Sequence, residues 1–84
     1  MFNLFELSIM SEIDRSENES DIIETIADCF AYNPDCSFLI RKNNINYRTI
    51  RNVNDYLDYV ENYNKRIKGM SAINLKRDIV NKIR

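Results

Sequence analysis

Basic, amide and phenol side chains are closely spaced in the middle of the chain, where they offer the clearest chemistry in the sequence. Arg48 and Arg51 lie three residues apart, and Tyr47 and Asn52 flank them. Residues three apart lie on the same side of a helix. In the major groove of DNA, arginine donates two hydrogen bonds to guanine, and asparagine pairs with adenine. We therefore predict that these four residues contact bases.

Further basic residues lie on both sides of this group. They are Arg41, Lys42, Lys65, Arg66 and Lys68. Lysine and arginine side chains contact phosphates, and such contacts position a protein on duplex DNA without reading its sequence. We predict that these five residues are phosphate contacts.

The composition excludes several kinds of chemistry. The chain contains no His, which removes the usual general base near neutral pH and the commonest metal ligand. Gly69 is the single glycine, so no glycine-rich loop can hold a nucleotide phosphate. Cys29 and Cys36 cannot complete a tetrahedral zinc site alone, and we expect them to be reduced core residues. We therefore expect no enzymatic activity, catalytic residue, metal or cofactor.

The net charge of -1 conceals a division along the chain. Residues 1–35 hold nine acidic residues and one basic residue, whereas residues 36–84 hold eleven basic and four acidic residues. Such asymmetry is typical of proteins that bind nucleic acid or a membrane surface. No apolar run approaches the roughly 18–20 residues that cross a bilayer, and no signal peptide is evident. We expect a cytoplasmic protein, or one inside a host cell, with no membrane partner.

The length of 84 residues predicts one domain, residues 1–84. Residues 1–13 form an apolar segment whose spacing fits a strand as well as a helix. Ser16 and Glu19 form a capping-box pattern, and Asn33-Pro34 ends the helix that follows, which predicts a first helix over residues 16–32. A final helix is predicted over residues 71–83, with Ser71 as its N-cap.

The stretch between these helices reads NPDCSFLIRKNNINYRTIRNVNDYLDYVE over residues 33–61. It resembles the helix-turn-helix of winged-helix transcription regulators. Ser37 matches the N-cap of the second helix, and Leu39 and Ile40 match a pair that packs inward. Asn44 stands at the left-handed turn position, and Asn46 matches the N-cap of the recognition helix.

This resemblance implies a mainly α fold, with a helix-turn-helix over residues 37–64 and a C-terminal helix. Residues 65–70 would form either a short β-hairpin, the wing, or a loop. The implied function is that of a small DNA-binding transcriptional regulator, because the N-terminal part of a recognition helix meets base edges in the major groove. One such helix reads few base pairs, so we expect a homodimer on double-stranded DNA.

The dimer interface would come from the N-terminal apolar segment or the C-terminal helix. Ile and Asn occur twelve times each, and their codons are AT-rich. That bias is typical of viruses, phages, plasmids and low-GC microbes, and it indicates such a source.

A second hypothesis is a non-enzymatic protein-binding module, an inhibitor or adaptor of a host complex from a virus or mobile element. Its interface would combine acidic residues of the first helix with tyrosines at helical spacing, since tyrosine is favoured at interfaces. These residues are Glu17, Glu19, Asp21, Tyr56, Tyr59 and Tyr63. On this hypothesis the exposed basic residues are solvated or ion-paired, as such residues usually are.

Overall fold

The computed structural model describes residues 1–67. In chain order the elements are β1 (Phe2–Glu6), β2 (Ser11–Ser16), α1 (Glu19–Tyr32), β3 (Phe38–Lys42), β4 (Ile45–Ile50) and α2 (Val53–Ile67). The strands form one antiparallel sheet in the order β2-β1-β3-β4. Both helices contribute to a core on one face of this sheet. The fold is therefore a two-layer α+β domain, and the expectation of a mainly α fold is wrong.

The N-terminal segment forms strands. Phe2 and Leu4 are buried in the core, whereas Asn3 and Phe5 alternate with them and are half-buried. This alternation is the period of a strand, whose successive side chains point to opposite faces. Because β1 pairs with β2 on one side and β3 on the other, it is a central strand.

The expected helix-turn-helix is a β-hairpin instead. Strands β3 and β4 are joined by Asn43-Asn44, and both asparagines have positive φ, at 53° and 67°. A two-residue hairpin turn with positive φ at both positions matches the twist of the flanking strands, and asparagine tolerates that conformation. Ser37 and Asn46 therefore do not cap helices, and no recognition helix starts at Asn46.

The first helix begins at Glu19, three residues later than predicted. Ser16 is the last residue of β2, where its hydroxyl accepts from the Asn18 amide at 3.0 Å and donates to Asp21 at 2.7 Å. Asn18 is the N-cap, so the expected capping box of Ser16 with Glu19 does not form. The helix ends where expected, and the Asn33 amide donates to the Cys29 carbonyl at 2.8 Å.

The second helix begins after Asn52, whose side-chain oxygen accepts from the Asp55 amide at 2.8 Å. The Asp55 carboxylate accepts in turn from the Arg51 amide at 3.1 Å, a reciprocal arrangement that fixes the helix start. The helix runs to Ile67, so residues 65–67 are helical and no wing begins there. The predicted C-terminal helix over residues 71–83 lies outside the described residues.

Each edge strand contains one extra residue. In β2 the partners of Leu4 and Phe5 are Asp14 and Glu12, which leaves Ile13 unmatched. In β4 the extra residue is Tyr47, between the partners of Ile40 and Arg41. Such β-bulges bend a strand and change where its side chains point. At the bulge in β4 the side chain of Tyr47 points toward the helices, and its ring packs on Phe2.

The core lies entirely between the sheet and the helices. Its buried side chains are Phe2, Leu4, Ile22, Ile23, Ile26, Ala27, Phe30, Phe38, Ile40, Ile50, Tyr56, Tyr59 and Val60. Phe30 of α1 meets Phe38 of β3 edge-on, with ring centroids 5.2 Å apart. Neither helix among residues 1–67 is long and apolar enough to span a membrane. The opposite face of the sheet is covered by neither helix.

Candidate functional site

The sheet face that points away from the helices is called here the open face. Pairing between strands arranges its side chains in two rows. The first row is Glu12–Phe5–Leu39–Thr49, and the second row is Arg15–Asn3–Arg41–Asn46. Because side chains of paired residues on one face are neighbours, each row is a line of contacts across all four strands.

Two apolar side chains lie at the centre of the first row. Phe5 of β1 and Leu39 of β3 are direct partners in the sheet, and each is half-buried. The solvated face of an antiparallel sheet is usually polar, so a central apolar pair is unusual there. Together with Met10, Arg41 and Asn46 the pair lines a pocket of about 190 Å³.

The β1–β2 hairpin adds more apolar surface. Ile9, Met10 and Ile13 are 69%, 61% and 40% exposed, and Met10 reaches the pocket. Exposed apolar side chains that occur singly are common, whereas contiguous apolar patches are often interaction sites. Met10 therefore extends the apolar centre of the open face, and Ile9 and Ile13 are exposed in the same hairpin.

Arg41 provides the polar wall of the pocket. Its guanidinium carbon lies 6.0 Å from the centroid of the Phe5 ring, within the range of a cation–π contact. One terminal nitrogen donates to the Asn44 carbonyl at 3.4 Å. The Nε atom is covered by protein, yet within residues 1–67 it has no hydrogen-bond acceptor. A covered donor without an acceptor costs about 1–3 kcal/mol.

The single acidic side chain in the two rows is already engaged. The Glu12 carboxylate accepts from the side-chain Nδ2 of Asn3 at 3.0 Å and from the Arg15 Nε at 2.7 Å. Arg15 and Glu12 therefore compensate each other at one edge of the sheet. The charge of Arg41 has no such counterpart in the rows, and the open face carries a net charge of +1 at its centre.

The four predicted base contacts do not lie on one surface. Tyr47 packs on Phe2 and donates to Glu19 at 3.2 Å, so it points toward the helices. Arg48 is half-buried, with its guanidinium 5.5 Å from the centre of the Tyr59 ring. Arg51 is exposed in the loop before α2, and Asn52 caps that helix, as described above.

The predicted phosphate contacts are only partly grouped. Arg41 is on the open face, whereas Lys42 contacts Phe2 and Tyr47, with its amine 5.5 and 5.6 Å from their ring centres. Lys65 is exposed on α2, and Arg66 pairs with Glu19. Lys68 lies outside the described residues. Lys42, Arg66 and the predicted base contact Arg48 therefore meet around Tyr47, Tyr59 and Glu19, and Arg41 lies apart from them.

Glu19 is the centre of a polar cluster between the helices and β4. Arg66 donates to both of its carboxylate oxygens, at 3.0 and 2.9 Å, and Tyr47 and Tyr59 also donate to it. Burial raises the pKa of Glu19, but these hydrogen bonds and the charge of Arg66 outweigh burial and hold the pKa below its usual value. Glu19 is therefore a structural anchor, and it is not available as part of an acidic docking surface.

The tyrosines proposed as an interface are mainly core residues. Tyr56 is fully buried and donates to the Ile23 carbonyl at 2.6 Å. Tyr59 is buried beside Glu19, and burial raises the pKa of both phenols. Tyr63 is half-buried under the guanidinium of Arg66, 5.5 Å away. Sequence spacing placed the three tyrosines on one side of a helix, and in the structure Tyr56 and Tyr59 pack against α1 and Arg48 of β4.

Acidic residues are concentrated on the helix layer, at the opposite side of the molecule from the open face. The exposed ones in and beside the helices are Glu17, Asp21, Glu24, Asp28, Asp58 and Glu61. Glu17 and Asp21 remain accessible, as the second hypothesis requires, but a charged helix surface alone is usually solvated.

Neither cysteine has the features of a reactive group. Cys29 and Cys36 are free thiols that pack against the core, and burial raises the pKa of both. A thiol with a raised pKa is a weak nucleophile at neutral pH. Among residues 1–67, no three His, Cys, Asp or Glu residues are grouped so that they could hold a metal ion.

Sequence reasoning missed Phe5 and Leu39 as functional candidates. They are 34 positions apart, and only the register of β1 with β3 makes them neighbours. A partial signal was present in the alternation of β1, because Asn3 and Phe5 lie on the side of the strand opposite Phe2 and Leu4. Comparison of the chain with protein-family models, curated proteins and solved structures finds no match. The functional argument therefore depends on the open face itself.

Proposed function

We propose that this protein is a non-enzymatic binding module whose open face docks a segment of another protein. The observation that carries the proposal is the Phe5–Leu39 pair, with its pocket, on a sheet face that neither helix covers. Protein interfaces concentrate their binding energy in a few anchors that fill such pockets. The proposal keeps the second hypothesis from the sequence but moves the interface from the helices to the sheet.

The size of the pocket favours a protein segment over a small molecule. Small-molecule sites usually enclose about 300–1,000 Å³. A pocket of about 190 Å³ is smaller and suits one inserted side chain. The exposed apolar side chains of the β1–β2 hairpin extend the contact surface beyond the pocket.

The charge of the described part of the chain favours a protein over a nucleic acid. Residues 1–67 contain twelve acidic and seven basic residues, and the three basic residues that meet, Lys42, Arg48 and Arg66, surround the carboxylate of Glu19 and two tyrosines. Proteins that bind single strands combine a basic groove with several stacking aromatic side chains, whereas the two rows hold one aromatic residue, Phe5. Binding to duplex DNA stays a prediction; within residues 1–67 its candidates are divided between the Glu19 cluster, the open face and the loop before α2.

A display library of decapeptides tests the proposal. Each peptide has one apolar residue at its centre and random residues on both sides, and the peptides that bind the full chain, residues 1–84, are selected. Selected peptides are then titrated against the wild-type protein and against Leu39→Thr, which preserves strand propensity while removing the apolar wall. We expect at least about tenfold weaker binding to the variant, which corresponds to 1.4 kcal/mol.

Tyr32→Ala is the matched control. Tyr32 is 94% exposed at the end of α1, on the helix layer, so the substitution removes an exposed aromatic ring away from the open face. Its affinity for the peptides should equal that of the wild type. A library that yields no ligand, or ligands that bind Leu39→Thr as tightly as the wild type, would refute the proposal.

A further inference from the structure

We infer that the open face selects an acidic segment, in which a bulky apolar side chain enters the pocket and a neighbouring carboxylate binds Arg41. This inference rests on the proposed function and adds the chemistry of the partner. It depends on Arg41, whose guanidinium lies at the wall of the pocket between the apolar cavity and solvent.

The first step concerns the free hydrogen-bonding capacity of Arg41. A guanidinium has five N–H donors, and within residues 1–67 Arg41 uses one of them, toward the Asn44 carbonyl at 3.4 Å. Its covered Nε has no acceptor within residues 1–67. Carboxylates match the planar fork of arginine and form charge-assisted hydrogen bonds that are shorter and stronger than neutral ones. A carboxylate at the pocket rim would therefore accept from the terminal N–H groups of Arg41 that have no acceptor within residues 1–67.

The second step concerns orientation. The contact with the Phe5 ring, at 6.0 Å, and the hydrogen bond to Asn44 hold the guanidinium over the sheet. Because the side chain is already ordered, less conformational entropy is lost when a ligand binds. Asn46, the partner of Arg41 in the sheet, lines the same pocket and offers an amide to the ligand backbone or carboxylate.

The third step is the spacing within the ligand. Arg41 lines the pocket that receives the anchor, so the carboxylate must come from a residue close to that anchor in the segment. An extended chain advances about 3.3 Å per residue. An Asp or Glu one or two residues from the anchor would meet this requirement.

The charge of the open face argues against a second copy of this chain as the occupant. Two open faces that meet would each present the unmatched charge of Arg41, while Glu12 of each is engaged by Arg15 and Asn3. A nucleic acid is also disfavoured, because Arg41 already lies over the Phe5 ring and reduces the area on which a base could stack. The acidic helix layer lies behind the sheet, and physiological salt screens charges beyond about 8 Å.

The composition of the selected decapeptides provides the test. On the wild-type protein, Asp and Glu should be enriched over Lys and Arg in the two positions on each side of the anchor. On Arg41→Gln, which keeps an amide of similar reach, the enrichment should disappear. Arg51→Gln removes one positive charge from an exposed loop and is the matched control, which should keep the enrichment.

Synthetic peptides give the affinities. Three decapeptides share a central Leu and carry acidic, neutral or basic flanks, and a single-stranded oligothymidine of ten nucleotides is the nucleic-acid probe. The acidic peptide should bind about fivefold more tightly than the neutral one, the contribution of a partly exposed ion pair. Arg41→Gln should remove this difference, and Arg51→Gln should preserve it. Thermal unfolding of both variants verifies that each is folded.

The outcomes separate the inference from the proposed function. If the neutral peptide binds as tightly as the acidic one and Leu39→Thr weakens both, the inference is overturned and the proposed function stands. If no peptide binds, both are overturned. If oligothymidine binds more tightly than the peptides, the occupant of the open face is a nucleic acid and the inference is overturned. If sedimentation shows a dimer that Leu39→Thr dissociates, the occupant is a second copy of this chain and the inference is likewise overturned.

Discussion

Phe5 and Leu39 lie directly opposite each other on the two central strands, on the face that no helix among residues 1–67 covers. Their neighbours along the same strands, Leu4 and Ile40, are also direct partners and are fully buried on the other face. Two adjacent apolar pairs thus have opposite roles. One pair builds the core, and the other forms part of the surface of the open face.

This difference predicts unequal effects of the same substitution at neighbouring positions. Ile40→Ala should reduce the free energy of unfolding by about 2–5 kcal/mol, since it leaves a cavity in the core. Leu39→Ala should reduce it by about 1 kcal/mol, since the side chain is half-exposed. Urea denaturation of both variants measures the difference. Equal losses would show that the open face is covered in the folded protein.

The Glu19 cluster predicts a specific dependence of stability on pH. The pKa of Glu19 is lowered in the folded protein from its ordinary value of 4.5, so the carboxylate stabilises the fold above that value. This contribution is lost as the pH falls through the lowered pKa. Glu19→Gln should reduce the free energy of unfolding by about 1–3 kcal/mol at pH 7. It should also make the free energy of unfolding fall less steeply as the pH is lowered.

Glu24→Gln is the control for that experiment, because Glu24 is exposed on the same helix. Urea midpoints at several pH values between neutrality and pH 3 should follow the wild-type curve for this control. An acid limb that is equally steep in Glu19→Gln would mean that other carboxylates cause the acid sensitivity.

The turn between β3 and β4 predicts effects that distinguish a hairpin from a helix. Asn43 and Asn44 both have positive φ, a conformation that β-branched residues avoid. Asn43→Val should destabilise the protein by about 1–2 kcal/mol, whereas Asn44→Gly should leave it unchanged or stabilise it by up to about 1 kcal/mol. Thermal unfolding measures both. A neutral Asn43→Val would be inconsistent with the hairpin.

The burial of both thiols predicts slow chemical modification. Because burial raises the pKa of Cys29 and Cys36, the thiolate fraction at pH 7.5 is smaller than that of a free thiol. Reaction with a disulfide reagent should therefore be slower in the folded protein than in urea, and it should accelerate as the pH rises. Equal rates in the folded and unfolded protein would contradict the burial.

The prediction of DNA binding has its own measurement. A duplex titration at 50 mM and 200 mM salt should show no saturable binding, because the Arg48 guanidinium is held over the Tyr59 ring while Arg51 lies in the loop before α2. Salt-sensitive binding with a slope of about -0.9 per phosphate contact would instead support it. In that case Arg48→Ala with Arg51→Ala would test the predicted base contacts, with circular dichroism as the control for folding.

The elements that sequence predicted best are those with local signals. The isoleucine and phenylalanine stripe of α1 and the Asn33-Pro34 stop indicated a helix, and the structure contains it at Glu19–Tyr32. Residues 38–50 were predicted wrongly because a left-handed asparagine occurs both in a helix-turn-helix and in a tight hairpin. The apolar run Phe38–Ile40 also fits either period, and only strand pairing selects one.

The candidate site required information that is not local. Tyr56 and Tyr59 share one side of a helix in any interpretation, but whether that side is core or interface depends on what packs against it. Phe5 and Leu39 become neighbours only through the register of β1 with β3. A single sequence does not specify this register, because pairing is determined by side chains on several strands at once.

The two bulges have a consequence for how the molecule behaves at high concentration. Each edge strand is interrupted by one extra residue, Ile13 in β2 and Tyr47 in β4, so neither edge offers more than three consecutive residues in regular pairing. An uninterrupted edge is a template on which further strands of other copies assemble into aggregates. The interruptions shorten that template, so the chain can expose an apolar sheet face while its edges resist growth into fibres.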